Sequence, residues 1–388
     1  MTPPALQVQE ICDYICEFLH SSPAELRAWA LVSTAFTLSA QLHLFHHIDL
    51  AKYGRTGNTG NAPSASRRLC TILAGSPHLI PLIRHLKISF AEDVLSPLTQ
   101  VLLTHVETIV LRPPSPQHPQ SHTVSSLAAP LLALPSVRRL TLGAIAFENI
   151  QSLHALFRQR TSAFDRLTLH YVDLYLWGPM GAIAEGTGTQ QHIGVKELEI
   201  AGPDRHSDWL GHPLSTFNFS ALDSVDIWGP IRPSVVALMH SSGSTLHTLR
   251  LDAEQATCRA SAFRLDEFIW LKYIDVFGGC NTVSCAVIFF ESAGSAELRL
   301  EHIVLRVGLM GPVDRDSLRR ADDAIAEMNS PHLRGVHCKL STGTAWSGPL
   351  HPARLAGMVR GAREAFPRLN ARGYLRVSCV DDGICTEL

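Results

Sequence analysis

Nine cysteines and 20 histidines give this chain of 388 residues many ways to place a nucleophile or a metal ligand, so spacing has to separate a site from coincidence. Cys12 and Cys16 stand four residues apart, which puts both thiols on one face of a helix and suits a metal or a redox pair. A tetrahedral site needs a second pair, and Cys280 with Cys285 does not supply one at metal-ligand spacing, so packing explains these thiols better. His43, His46 and His47 resemble a ligand set, but they close a Leu- and Phe-rich stretch just before an apolar strand, where surface exposure and partial burial account for them. Gly54, Gly57 and Gly60 have the look of a phosphate-binding turn, yet no strand precedes them and no Lys-Ser or Lys-Thr follows. Asp381 and Asp382, between Cys379 and Cys385, are too few for a cation site and read as a solvated end. No G-x-S-x-G elbow, H-E-x-x-H helix or Walker loop occurs, so no catalytic residue, metal or cofactor is expected and the chain reads as a non-enzyme.

The elements that carry these residues are framed by composition. At 46% hydrophobic the chain can bury a large core, and 33 basic against 35 acidic residues leave a net charge of -2, with no bulk field to draw nucleic acid or an anionic membrane. Acidic Glu10, Asp13 and Glu17 interrupt the start where a signal peptide needs a basic and then an apolar stretch, and no apolar run reaches the roughly 18 residues of a membrane span. A cytoplasmic or nuclear protein is expected, with thiols reduced and the Asn218-Phe219-Ser220 sequon silent.

Residues 1–50 read as three short helices. Val8, Ile11, Ile15, Phe18 and Leu19 recur at helical spacing. Ser22, Pro23 and Glu25 predict an N-cap, a first-turn proline and a capping-box carboxylate for a second helix that carries Leu26, Ala30 and Leu31. A third helix through Leu38, Leu42 and Leu44 leads into the strand-like 47–50. The segment LQVQEICDYICEFLHSSPAELRAWALVSTAF resembles the F-box pattern in its fungal F-box-like form, through Leu6, Ile11, Ile15, Leu19, Leu26, Leu31, Val32, Ser33 and Phe36. Gln7 stands where that family has proline. The resemblance implies that these residues bind the Skp-type adaptor of a cullin-RING ubiquitin ligase, apolar helix against apolar helix.

Residues 51–66, rich in Gly, Asn, Ser and Pro, read as a flexible linker. From there to residue 388 one pattern returns: apolar, two variable, apolar, one variable, apolar. It begins at Ile83, Val106, Val137, Phe164, Val195, Leu222, Leu246, Leu271, Leu300 and Leu333, at intervals of 23 to 33 residues. This is the strand segment of a leucine-rich repeat, with helices or turns expected between copies. The fold class is thus α/β: a three-helix F-box-like module followed by an irregular leucine-rich repeat solenoid, parallel strands on the concave side and helices and turns on the convex side. No regular Asn or Cys follows the strand motif to bond the turn backbone, and a non-repeat α/β domain with parallel strands is the alternative. The final helix and an edge strand are expected to cap the array.

In a solenoid the variable strand positions meet the partner. They run from basic (His85, Lys87, Arg139, Arg166) through acidic (Glu197, Glu199, Asp226) to mixed (Arg250, Tyr273, Asp275, His302), with Trp228 and Tyr273 as candidate anchors for a protein partner. The expected function is substrate recognition for a Skp-cullin-F-box ubiquitin ligase. A repeat scaffold without ligase attachment is the alternative, which Gln7 favours.

Overall fold

The computed structural model describes residues 9–51, 64–113, 126–174, 192–202, 209–210, 216–229, 231, 233–252, 264–278, 282–308, 315–341, 352–381 and 384–387. The chain is a mixed α/β protein with large parallel sheet, and it divides into two compact units, Met1–Ile193 and Gly194–Leu388. Leu6, Gln7, Cys280, Asp382 and the glycines at 54, 57 and 60 lie outside the described residues.

The first unit opens with α1 (Gln9–Phe18), α2 (Pro23–Val32) and α3 (Thr34–His46). Pro23 takes the first helical position of α2 as expected, but Ser22 makes no side-chain cap bond, so the capping box is not formed. The cap appears one helix later, where Ser33 accepts the Ala35 N–H at 3.3 Å. Cys12, Cys16, Leu26, Phe36 and Ala40 make the core of these helices, and Trp29 lies 4.8 Å from Phe36, ring to ring. Asp13 accepts hydrogen bonds from Ser39 and from Gln9, tying α1 to α3 and holding its carboxyl below the usual range.

After α3 the chain passes straight into β1 (His47–Asp49), which pairs in parallel with β2 (His85–Ser89). Between them α4 (Ala65–Gly75) starts within the segment assigned to the linker, with Ser64 as its N-cap and Ser66 buried and donating to the Asp93 carbonyl. Then follow α5 (Glu92–Leu98), β3 (Thr108–Arg112), α6 (Ala129–Leu132), β4 (Arg139–Phe147), α7 (Ile150–Phe157) and β5 (Phe164–Leu174). β1 to β5 pair in chain order, all parallel. Ala144 and Tyr171, facing each other across β4 and β5, both adopt the left-handed region, at φ 52 and 55. The register is interrupted at these two residues and resumes at Ile145 and Val172, so both strands kink at the same place.

The second unit contains β6 (Ile193–Ala201), β7 (Phe217–Asn218), β8 (Ser224–Trp228), α8 (Pro233–Ser241), β9 (Thr248–Asp252) and β10 (Tyr273–Gly278). It continues through α9 (Thr282–Glu291), β11 (His302–Gly308), α10 (Arg315–Glu327), β12 (Gly335–Ser341), α11 (Pro352–Ala365), α12 (Pro367–Ala371), β13 (Leu375–Asp381) and β14 (Ile384–Glu387). The short β7 pairs with β6; β6 and β8 to β13 are parallel in chain order. β14 turns back antiparallel on β13. The end is therefore a hairpin rather than a solvated tail, and β13 is covered on its outer side instead of forming the edge.

All thirty apolar positions of the ten copies are buried, from Ile83, Leu86 and Ile88 through to Leu333, Val336 and Cys338. The missing Asn or Cys is replaced from the opposite side of the turn. Just before a strand, a polar side chain bonds the carbonyl that begins the preceding copy: Thr245 to Leu222 at 2.9 Å and Ser330 to Leu300 at 2.9 Å. Arg160 does the same for Val137 and also donates to Leu132 (2.7 Å), Leu134 and Ala163 carbonyls. This guanidinium is buried against the Phe164 ring and has no carboxylate among these bonds; burial pushes it down to about 10, so it stays charged at neutral pH. Arg160→Met would leave those carbonyls unsatisfied and should cost about 3 kcal/mol of unfolding free energy by urea titration.

Candidate functional site

Two surfaces carry the residues singled out by the sequence. The first is on α1 to α3. Leu26 is 1% exposed and Phe36 is fully buried, so these two build the helical core rather than a docking face. Ile15 and Leu19 pack at its margin, and Ser33 is the cap of α3. Leu31 is 88% exposed, and Val32 and Ile11 are exposed as well. Four more are exposed that the sequence did not assign to docking: Tyr14, and Phe18 (78% exposed), Leu38 and Leu42, which were read only as apolar positions of the helices. Ile11, Tyr14 and Phe18 fall on one helical face, three and four residues apart. That face is turned away from Cys12 and Cys16, and the spacing alone could have shown that α1 is apolar over more of its circumference than two small thiols can cover.

The second surface is the polar face of the second unit's sheet. Register aligns Glu199, Asp226, Arg250 and Asp275 across β6, β8, β9 and β10. These variable positions were expected to be exposed and to meet a partner, but Asp226 and Asp275 are buried, the latter at 0% exposure. Arg250 approaches Asp226 at 3.6 Å, and Arg306 on β11 donates to both Asp275 oxygens, from Nε at 3.0 Å and from Nη2. Tyr273 donates to Asp275 at 3.5 Å; burial first, and then the Asp275 charge, push its phenol up. Burial acts to lower the Arg306 guanidinium, and its bonds to Asp275 more than offset this. Beside this network the Trp228 and Phe277 rings pack with centroids 4.3 Å apart, tilted by 48°, although their strands are separated by β9, and Trp228 remains half exposed. Gly229 fixes the chain directly after Trp228: its φ is 151, and a Cβ there would come within 2.7 Å of the Gly202 carbonyl oxygen. Glu197 is exposed on β6. Arg139 and Arg166 belong to the first unit, where they are register partners on β4 and β5.

His337 and the Ser378 hydroxyl are 2.8 Å apart, but Ser378 is buried, which denies that hydroxyl to a substrate. Among the described residues no group of three or more His, Cys, Asp or Glu side chains is arranged to hold a metal, and no helix is long and apolar enough to cross a membrane. Reactive thiols need a lowered pKa. Here burial raises the Cys16 and Cys70 thiols and pushes Cys338 up to about 12. Iodoacetamide at neutral pH, read by peptide mass mapping, should leave Cys12, Cys16, Cys285, Cys338 and Cys379 protected in the folded protein, with Cys70 labelled more slowly than a free thiol; rapid labelling of any of the five would revive an enzyme reading.

Compared with known proteins, the chain matches no protein-family model and no curated protein, so the F-box-like and repeat readings rest on the residues themselves.

Proposed function

We propose that this chain is a non-catalytic receptor: α1 to α3 dock on the Skp-type adaptor of a cullin-RING ubiquitin ligase, and an irregular leucine-rich repeat solenoid presents a bound protein for ubiquitin transfer by other subunits. One observation carries the reading. Three short helices with a closed core expose Ile11, Tyr14, Phe18, Leu31, Val32, Leu38 and Leu42. Burying a side chain of this size is worth about 1.5 to 3 kcal/mol, so a surface with seven of them favours a partner. The placement agrees with the F-box-like resemblance at Ile11, Leu31 and Val32 and moves Leu26 and Phe36 into a supporting role.

The repeat part of the proposal is supported by the alternation in the strands. A doubly wound parallel sheet is covered on both faces and its strands are apolar throughout. Here buried apolar positions alternate with polar ones in eight of the ten copies, Val110 and Val304 being the exceptions, which supports one face of the strands being kept for a partner. The reducing cytoplasm or nucleus suits a chain in which the described cysteines form no disulfide among themselves.

The test is co-purification with a Skp-type adaptor and a cullin. Leu31→Asp with Val32→Asp, and separately Phe18→Asp, should each weaken capture at least tenfold, about 1.4 kcal/mol, without lowering the melting temperature. Phe36→Ala is unsuitable, because it opens a cavity in the helical core and would cost about 3 kcal/mol of folding. Failure of the intact chain to capture the adaptor would leave the repeat scaffold without ligase attachment.

A further inference from the structure

On the polar face of the second unit, register joins an aromatic pair to a group of cations. Phe277 is the partner of Arg306 on β11, Arg306 of Lys339 on β12, and Lys339 of Ser378 on β13, while Trp228, at the end of β8, reaches Phe277 across β9. The floor of this row is closed, since Ser378 is buried beside His337 and Asp275 is buried under Arg306. The side chains above the floor are open. Trp228 is 46% exposed, the Arg306 side chain is 44% exposed although it holds both Asp275 oxygens, Lys339 is half-buried, and Arg376, the partner of His337 on β13, is exposed. Arg250 and Arg306 answer the carboxylates of Asp226 and Asp275. Neither the Lys339 nor the Arg376 side chain has an ion pair or a hydrogen bond among the described residues. The face therefore has an aromatic end and, beside it, an end with positive charge that no described carboxylate answers.

We propose that this surface docks an extended segment of a partner protein that carries one aromatic residue followed by carboxylates, the aromatic ring packing on Trp228 and Phe277 and the carboxylates pairing with Lys339 and Arg376. The proposal rests on the receptor reading above, in which the repeats present their polar face to a partner, and it names that partner's chemistry. Phe277 and Lys339 are two strand spacings apart, about 10 Å, and Arg376 lies one strand over and two residues back from Lys339, about 8 Å away. A chain crossing the strands at about 3.3 Å per residue thus brings its carboxylates roughly three and five residues after its aromatic residue. Charge sets that order. Asp252 stands on β9 between the strands of the two rings, so a carboxylate of the ligand meets a like charge at the aromatic end and two cations at the other. The Trp228 ring is already braced by Phe277, so little side-chain freedom is lost when a second ring packs on it. A protein segment fits better than nucleic acid, because tight non-specific binding to a duplex draws on some 6 to 10 phosphate contacts, more than two unpaired cations offer.

The experiment is fluorescence anisotropy of a labelled Gly/Ser peptide of about ten residues, with one phenylalanine and glutamates three and five residues after it, titrated with the full chain at low salt. Saturable binding is expected below about 1 mM, weakened by salt, and at least about fivefold weaker for peptides with alanine in place of the phenylalanine or glutamine in place of both glutamates. Lys339→Glu with Arg376→Glu should abolish the preference for glutamate over glutamine, and Trp228→Ala the preference for phenylalanine over alanine. Circular dichroism checks the fold of each variant, and Lys339→Gln with Arg376→Gln serves if the charge reversal does not fold. Leu31→Asp with Val32→Asp should leave peptide binding unchanged, so failure of adaptor docking and failure of this site are read separately. Absence of saturable binding, equal binding of the glutamine peptide, glutamate preference retained in Lys339→Gln with Arg376→Gln, or tighter binding of a single-stranded oligonucleotide of equal length would overturn the proposal.

Discussion

A parallel strand cannot reach its neighbour through a tight turn, so each strand here is followed by a crossover that must also cover the apolar face the strand presents. That constraint sets the 23- to 33-residue interval, since a strand of five to eleven residues, a helix or 3-10 turn and two connections need about that length. It also creates a recurring problem at the bend before each strand, where carbonyls enter the core without a ladder partner. Thr245, Ser330 and Arg160 solve it with different chemistries at the same structural position. Arg160 is the most costly of these solutions, because it brings a charge into the interior; four carbonyls and the Phe164 ring offset the lost hydration.

The sheet was legible because its period is short and strict. Three apolar residues at fixed offsets, repeated ten times, encode strand, facing and order together, and each of those residues is buried. What could not be read are the contacts between copies. Nothing near Thr245 in the sequence indicates that its hydroxyl reaches Leu222, and Trp228 and Phe277 meet only because β8 and β10 are two strand spacings apart. The same limit concealed the burial of Asp226 and Asp275, since a polar residue at a variable position looks exposed until its cross-strand arginine is known. Chain termini of elements were the least legible: Ser22 has the right identity for a cap and makes no cap bond, while the four residues of β14 read as a tail.

On α1 to α3 the sequence showed which residues are apolar but not which of them point inward. The core of these helices is small, and Cys12 and Cys16 supply most of what α1 contributes to it. Two thiols bury little area, which keeps the stability of these helices low by themselves and leaves the bulkier Tyr14 and Phe18 outside. Of the larger side chains of α1, Ile15 packs at the margin of that core while Ile11, Tyr14 and Phe18 stay exposed. β1 compensates in part, because α3 runs directly into a strand paired with β2, and the Arg84 N–H donates to the His46 carbonyl at 3.2 Å.

Register also decides how charge is distributed on the sheet faces, because residues at the same place in successive copies become neighbours about 4.8 Å apart. Across β8, β9 and β10 the row alternates in sign, Asp226, Arg250 and Asp275, and Arg306 reaches Asp275 from β11, where Val304 holds the register position, so each buried carboxylate has a guanidinium from an adjacent strand. On β4 and β5 the copies repeat in sign, so Arg139 and Arg166 stand side by side. Register therefore places like charges side by side as readily as unlike ones, and which of the two results is decided by the residue that each copy carries at that position, not by the apolar strand pattern, which is the same in both units.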